Sequence, residues 1–254
     1  MRILFIGDIV GSSGRQVVAD HLSSIKKEYD IDLIIANGEN AAHGKGITKR
    51  IYNFLKNQGI DIITMGNHTF AKREIYDFYD ECEDLLVPAN MEPLDFGNYF
   101  KVVDVNGKDI CVINLYGEAF MNHVADKPYP YMDYVLDNID ADYYFVDFHA
   151  ESTSEKMFFA NLYKDKIDAV VGTHTHVQTA DERFIGQVAY ITDAGMCGAY
   201  DSIIGRDFVE LRENLMEDKK TYFEVATGDS FLNGVIITVD DKTMKSIDIM
   251  RIAR

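Results

Sequence analysis

Two histidines separated by one residue, His174 and His176, follow the short apolar run Ala169 to Val171 and the glycine that ends it, Gly172. In extended backbone, side chains at i and i+2 point to the same side, so both imidazoles are expected to converge on one point. Imidazoles converging just past a buried strand suit a metal ion. Similar atoms recur beyond other apolar runs. Asp8 follows residues 2–7, Glu39 and Asn40 follow 32–36, Asn67 and His68 follow 61–65, and His149 follows 143–146. Taken singly, each has a plainer explanation: a helix cap for Asp8, an Asx-turn for Asn67, an internally satisfied ring for His149. Taken together, four of the seven histidines fall with carboxylate and amide oxygens at five strand ends. Ligand sites of α/β sheets form outside such ends. His21, His43 and His123 lie elsewhere and are assigned to surface or loop.

The donor set is mixed nitrogen and oxygen, with no thiolate. It suits iron, manganese or zinc better than calcium or a structural zinc site. The candidates Asp8, Glu39, Asn40, Asn67, His149, His174 and His176 are too many for one ion. They suit two ions about 3.5–4 Å apart that share one carboxylate.

Those residues need elements to position them. The apolar run 2–7 reads as a strand, and Gly11 to Gly14 as a turn into a helix with Val18, Leu22, Ile25 and Tyr29 on its buried stripe. This glycine pair lacks the Gly-Lys-Ser/Thr ending of a phosphate loop and is read as turn and cap only; Gly44-Lys45-Gly46 is equally weak. A second strand spans 32–36. The next helix has Thr48 as N-cap, Ile47 and Tyr52 as staple and Gly59 at its end. A third strand spans 61–65. Strands alternating with helices in this way predict βαβ units and a parallel sheet. Asn106-Gly107 predicts a hairpin between 99–105 and 109–115, and residues 117–138 are expected as an irregular partial lid over the site. A strand at 143–146 follows, then a Ser152/Glu155 capping box opening a helix that carries Met157, Phe158 and Leu162. After 168–176 come a strand at 188–192, a glycine-spaced loop from Gly195 to Gly205, a helix near 207–217 and a hairpin of 234–239 with 247–252.

Composition bounds the remaining choices. At 254 residues, with 47% hydrophobic and 26% charged residues and no linker or repeat, one soluble α/β domain spanning 1–254 is favoured. The N-terminal strand meets Asp8 too early for a signal peptide, and no apolar run approaches a membrane span. Cys82, Cys111 and Cys197 have no paired spacing, so no disulfide framework is expected and a cytoplasmic location fits. The formal charge of −17 repels long nucleic acid. A small anionic substrate can still bind where divalent cations reverse the local field.

The spaced set Gly7-Asp8, Gly38-Glu39-Asn40, Gly66-Asn67-His68, His149 and Gly172-Thr-His174-Thr-His176 resembles the calcineurin-like metallophosphoesterases over essentially the whole chain. It is most similar to the YmdB family of bacterial phosphodiesterases within that superfamily. Gly66-Asn67-His68 and the Gly172 to His176 segment match superfamily motifs. Residues 7–11, 37–41 and the Gly195–Gly205 loop with Tyr200, Asp201 and Ser202 resemble the YmdB branch. Two positions depart from the wider superfamily: Val10 stands where an Asp-x-His motif has histidine, and Glu39 stands where a bridging aspartate is usual. Both departures resemble the branch, in which Asn40 takes up coordination.

The resemblance implies a fold of two mixed β-sheets packed face to face with flanking helices. It also implies two divalent or trivalent transition-metal ions, iron first, with manganese or zinc as alternatives. One ion would be held by Asp8, Glu39, Asn40 and His176, the other by Glu39, Asn67, His149 and His174, with Glu39 bridging. His68 is left free as a general acid or transition-state donor. The activity implied is phosphodiester hydrolysis of small cyclic nucleotides, 2′,3′- and/or 3′,5′-cyclic, by attack of a hydroxide bridging the ions. The competing readings are a phosphomonoesterase with the same metal chemistry, and a nucleotide-sensing regulatory protein with incidental hydrolysis. A small nucleotide is the expected partner, and homo-oligomerisation is left open.

Overall fold

In the computed structural model, which describes residues 1–217 and 219–254, the N-terminal apolar run forms β1 (Arg2–Ile6). The two-residue β2 (Asp8–Ile9), helix α1 (Gly11–Glu28), β3 (Leu33–Asn37), α2 (Lys49–Asn57), β4 (Ile62–Thr64), α3 (Ile75–Phe78) and β5 (Leu85–Leu86) follow. A second series comprises β6 (Phe100–Val105), β7 (Lys108–Tyr116), α4 (Tyr129–Asn138), β8 (Tyr143–His149), α5 (Thr153–Leu162) and β9 (Ala169–Thr173). The chain closes with β10 (Arg183–Ile185), β11 (Val188–Ile191), β12 (Met196–Ala199), α6 (Phe208–Met216), β13 (Ser230–Val239) and β14 (Ser246–Ala253).

Local chemistry accounts for several boundaries. The Thr48 hydroxyl accepts the Ile51 N–H at 3.3 Å and starts α2, and Gly59 takes the left-handed conformation that ends it, with φ +95°. Asn106 and Gly107, both with positive φ, make the tight turn of the β6–β7 hairpin.

The strands form an eight-stranded sheet in the order β2-β12-β13-β1-β3-β4-β5, with β14 also pairing β13, and a six-stranded sheet in the order β10-β11-β9-β8-β7-β6. Both sheets mix parallel and antiparallel pairs. Alternation along the strands divides each apolar run between two layers. Ile3, Phe5, Leu33 and Ile35 meet Val112, Phe145, Ala169 and Val171 of the other sheet in a shared inner core. Phe5 stacks on Phe145 there, with ring centroids 5.6 Å apart. The intervening Leu4, Ile6, Ile34 and Ala36 face α1 and α2, while Cys111, Val146, Phe148 and Val170 face α4 and α5. Each fully buried Ile, Leu, Val or Phe side chain contributes about 1.5–3 kcal/mol. The α/β layering with two mixed sheets face to face thus follows the expectation.

Some local expectations differ from the structure. Gly11 and Gly14 lie within the first turn of α1 rather than in a turn before it, and at both a Cβ would collide, at Gly14 with the Cys197 carbonyl. The Gly195–Gly205 loop contains β12, which pairs with β2 and β13. The stretch 117–138 is irregular only as far as α4, whose Met132 and Val135 are buried. On α5 the buried face is Lys156, Phe159 and Ala160, while Phe158 and Leu162 are exposed. Finally, β9 runs through Gly172 to Thr173, since Gly172 packs against the Thr192 carbonyl without breaking the strand.

Candidate metal centre

The sheets bring the C-terminal ends of β1, β3, β4, β8 and β9 to one edge, and every residue singled out from the sequence is found there. Asp8 is fixed by its N–H to the Gly195 carbonyl at 3.0 Å. The Glu39 Oε2 accepts the His68 backbone N–H at 2.8 Å, and its Oε1 lies 3.2 Å from His68 Nδ1. Gly66 leaves space for this approach: a Cβ there would sit 2.3 Å from His149 Nε2 and 2.4 Å from Glu39 Oε2.

Hydrogen bonds on the far side of each ring determine which nitrogen faces inward. Thr173 spends its hydroxyl proton on Asp147 Oδ1 at 2.6 Å. Its oxygen therefore accepts from His149 Nδ1 at 2.9 Å, leaving the His149 Nε2 lone pair free. His176 Nδ1 donates to the Ile204 carbonyl at 2.9 Å, and its Nε2 turns inward. His174 Nε2 lies 3.1 Å from the Glu151 carboxylate, and its Nδ1 turns inward. Around the His149 Nε2 lone pair stand Asn67 Oδ1 at 2.9 Å, His174 Nδ1 at 3.2 Å and Glu39 Oε1 at 3.4 Å. Four acceptors meet with no proton among them. Bonds of about 2.0–2.2 Å to a central ion would put neighbouring ligand atoms at such separations, so the donor set fits a cation.

A second cluster shares the same carboxylate. Ligand atoms of Glu39, His149 and His174 lie within 4.8 Å of one another, and so do those of Asp8, Glu39 and His176. Asn40 Nδ2 sits inside the second group, 2.9 Å from Glu39 Oε1, 3.1 Å from His176 Nε2 and 3.4 Å from Asp8 Oδ1. Turning that amide over presents its oxygen to the same point.

The two histidines of the Gly172–His176 segment do not converge in extended backbone as expected. Their φ angles are +100° and +67°, and each serves a different cluster. Thr175 stands between them, its N–H and hydroxyl both held by Asp193 Oδ2, at 3.0 and 2.8 Å.

Burial sets the protonation of the cluster. It pushes the His149 and His174 imidazoles below their ordinary values, to the neutral form that ligates metals. Burial, followed by the neighbouring Glu39, pushes Asp8 well up. Burial acts to raise Glu39 as well, and the His68 N–H that this carboxylate accepts acts the other way. Asp147 is pushed up to about 7 by burial, partly offset by hydrogen bonds from Thr173, Thr64 and Asn37.

The clusters open into a cavity of about 460 Å³. Glu39, Asn40, His68, Glu151, His174 and His176 are among its lining, together with Lys45, Arg206, Phe223 and the apolar Val10, Ile203, Ile204 and Leu211. No side chain of 117–138 is among them. Lys45 and Arg206 each lie over the Phe223 ring, at 5.1 and 5.3 Å from its centroid. Sequence reasoning missed the orienting partners Asp147, Thr173, Glu151 and Ile204. Asp147 was open to detection, being two residues before His149 on the same face of β8; Glu151 and Ile204 lie in turns that carry no such signal.

Comparison with known proteins adds an independent line. A protein-family model described as YmdB-like protein matches residues 4–252. The chain is 46% identical over 255 residues to a 2′,3′-cyclic-nucleotide 2′-phosphodiesterase of Bacillus subtilis (strain 168), covering 99% of this chain and 96% of that one. It superposes on the crystal structure of a novel phosphatase from Mycoplasma pneumoniae with a TM-score of 0.94 at 34% identity, covering 100% of this chain and 93% of the other. The NAD nucleotidase of Haemophilus influenzae matches with a TM-score of 0.58 at 13% identity, over 99% of this chain and 49% of that one. That last likeness shows the fold alone.

Proposed function

The chain belongs to the YmdB-like family, and from that premise we propose that it is a metal-dependent phosphodiesterase that hydrolyses small 2′,3′-cyclic nucleotides. The observation that carries the metal half of this reading is the crowding of unprotonated acceptors around His149 Nε2. The substrate half rests on the 46% identity to a relative named for that activity. Asp8, Glu39, Asn40 and His176 would hold one ion, and Glu39, Asn67, His149 and His174 the other. The nitrogen and oxygen donors suit iron, manganese or zinc alike, and the family resemblance puts iron first. Two such ions, when bound, activate water as a nucleophile and draw charge from the phosphoryl oxygens.

The protein's own groups supply the rest. His68 lines the cavity beside Glu39 and is the group placed to give a proton to the departing ribose oxygen. The apolar wall of Val10, Ile203, Ile204 and Leu211 suits a nucleoside and keeps water from the reacting centre. Lys45 offers a positive charge at the mouth of an otherwise acidic protein. All three cysteines are buried and unpaired, which suits the reducing cytoplasm.

A phosphomonoesterase is the second reading, favoured by the name of the Mycoplasma pneumoniae structure. One panel decides between them. Metal-loaded protein should turn over 2′,3′-cyclic AMP well ahead of p-nitrophenyl phosphate. Preferential hydrolysis of the monoester would install the second reading, and binding of cyclic nucleotide without turnover would favour a sensor.

A further inference from the structure

We propose that the buried Lys156–Asp193 ion pair is a positioning device for the metal ligands, holding the His174–His176 turn in its coordinating shape; this rests on the metal reading above. Lys156 of α5 and Asp193, just after β11, are both wholly inaccessible to solvent. Lys156 Nζ donates to the Thr173 carbonyl at 2.8 Å and to Asp193 Oδ2 at 3.1 Å. The same Asp193 oxygen accepts the N–H and the hydroxyl of Thr175, at 3.0 and 2.8 Å. The other oxygen, Oδ1, accepts the Gly195 N–H at 2.9 Å. The Gly195 carbonyl in turn receives the Asp8 N–H at 3.0 Å. One carboxylate therefore grips the residue between two candidate ligands and, one step away, the backbone of a third.

The need for such a grip lies in the backbone. His174 and His176 both have left-handed φ, a conformation that a residue with a Cβ keeps only where its surroundings over-determine it. A buried ion pair adds little net stability over apolar side chains of the same volume, so stability alone does not account for one here. Its geometry does: four donors from three residues, Lys156, Thr175 and Gly195, close on one carboxylate. The fit extends to Gly172, where a Cβ would lie 2.9 Å from Lys156 Cδ. A larger residue there would displace the lysine stem.

The test separates positioning from plain core support. Lys156→Met combined with Asp193→Leu replaces the pair by apolar groups, while Thr175→Val and Thr175→Ser probe the grip at its contact point. Binding of Co²⁺ to the chelator-stripped proteins is followed by its visible absorption, beside the thermal midpoint without metal. The pair replacement should fold and bind cobalt about 10–100-fold more weakly, with an altered spectrum, as for groups that orient ligands in other metal sites. Thr175→Val should shift affinity the same way, and Thr175→Ser should restore it. A folded pair replacement with wild-type affinity and spectrum overturns the proposal. Should that variant fail to fold, the Thr175 variants decide, and a Thr175→Val protein indistinguishable from wild type overturns it. A wild-type protein that binds no cobalt overturns the metal reading itself, a different result.

Discussion

At the scale of single residues, the decisive atom is His149 Nε2, whose lone pair faces three other acceptors because Thr173 and Asp147 fix the proton on Nδ1. The shared carboxylate of Glu39 belongs to both clusters. Glu39→Gln is therefore expected to weaken metal uptake and abolish turnover while far-UV circular dichroism stays near wild type; normal metal content and rate would remove Glu39 from the bridge. His68 differs, since both clusters are complete without it. His68→Ala should keep the metals and lose rate by about 10²–10⁴-fold on a cyclic nucleotide. A p-nitrophenyl diester, whose leaving group needs little protonation, should be hurt far less. Equal losses on both substrates would transfer His68 from proton donation to phosphoryl-oxygen stabilisation. The candidate ligands were legible in the sequence because each ends an apolar run. Glu151 and Ile204 were not, since their roles depend on a turn whose shape Asp193 imposes from a distant segment.

At the scale of elements, local punctuation was read reliably where a side chain caps its own helix, as Thr48 and Ser152 do. It failed where packing overrides local preference. Glu155 does not complete a capping box, because its carboxylate instead accepts the backbone N–H groups of Glu118 and Ala119. The apolar Phe158 and Leu162 stay exposed while α5 turns Lys156 inward, an orientation that its buried partners, the Thr173 carbonyl and Asp193, explain. The short β12 was hidden in a glycine-spaced stretch, being a strand by virtue of its neighbours β2 and β13. Helix α2 contributes no residue to either ligand group, so Thr48→Ala should cost about 1 kcal/mol of stability and leave metal content unchanged. Chemical denaturation beside elemental analysis checks this; loss of metal would show that α2 is coupled to the site.

On the scale of the whole molecule, two sheets close over an inner core and press several acids together at one edge. Layering of this kind was not visible in periodicity, which reports one chain segment at a time; the family resemblance carried it. One consequence is a pH dependence of the metal-free protein. Burial raises Asp147 from 3.8 to about 7 and raises Asp8 in the same sense. Their contribution to stability is complete below the unfolded value and is lost as pH rises through the folded one. The histidines held below 6.5, His149 and His174, act in the opposite sense but only at more acid pH. Between pH 6.5 and 8 the thermal midpoint in chelator should therefore fall, and added metal should remove much of that fall by neutralising the cluster. A flat profile in chelator would show that these acids are solvated in solution. The central claim, a pair of ions sharing Glu39, is tested most directly by elemental analysis of folded, full-length protein purified without chelator. Close to two transition-metal ions per chain are expected, and a protein that takes up no more than one ion with metal in excess would rule out the shared pair.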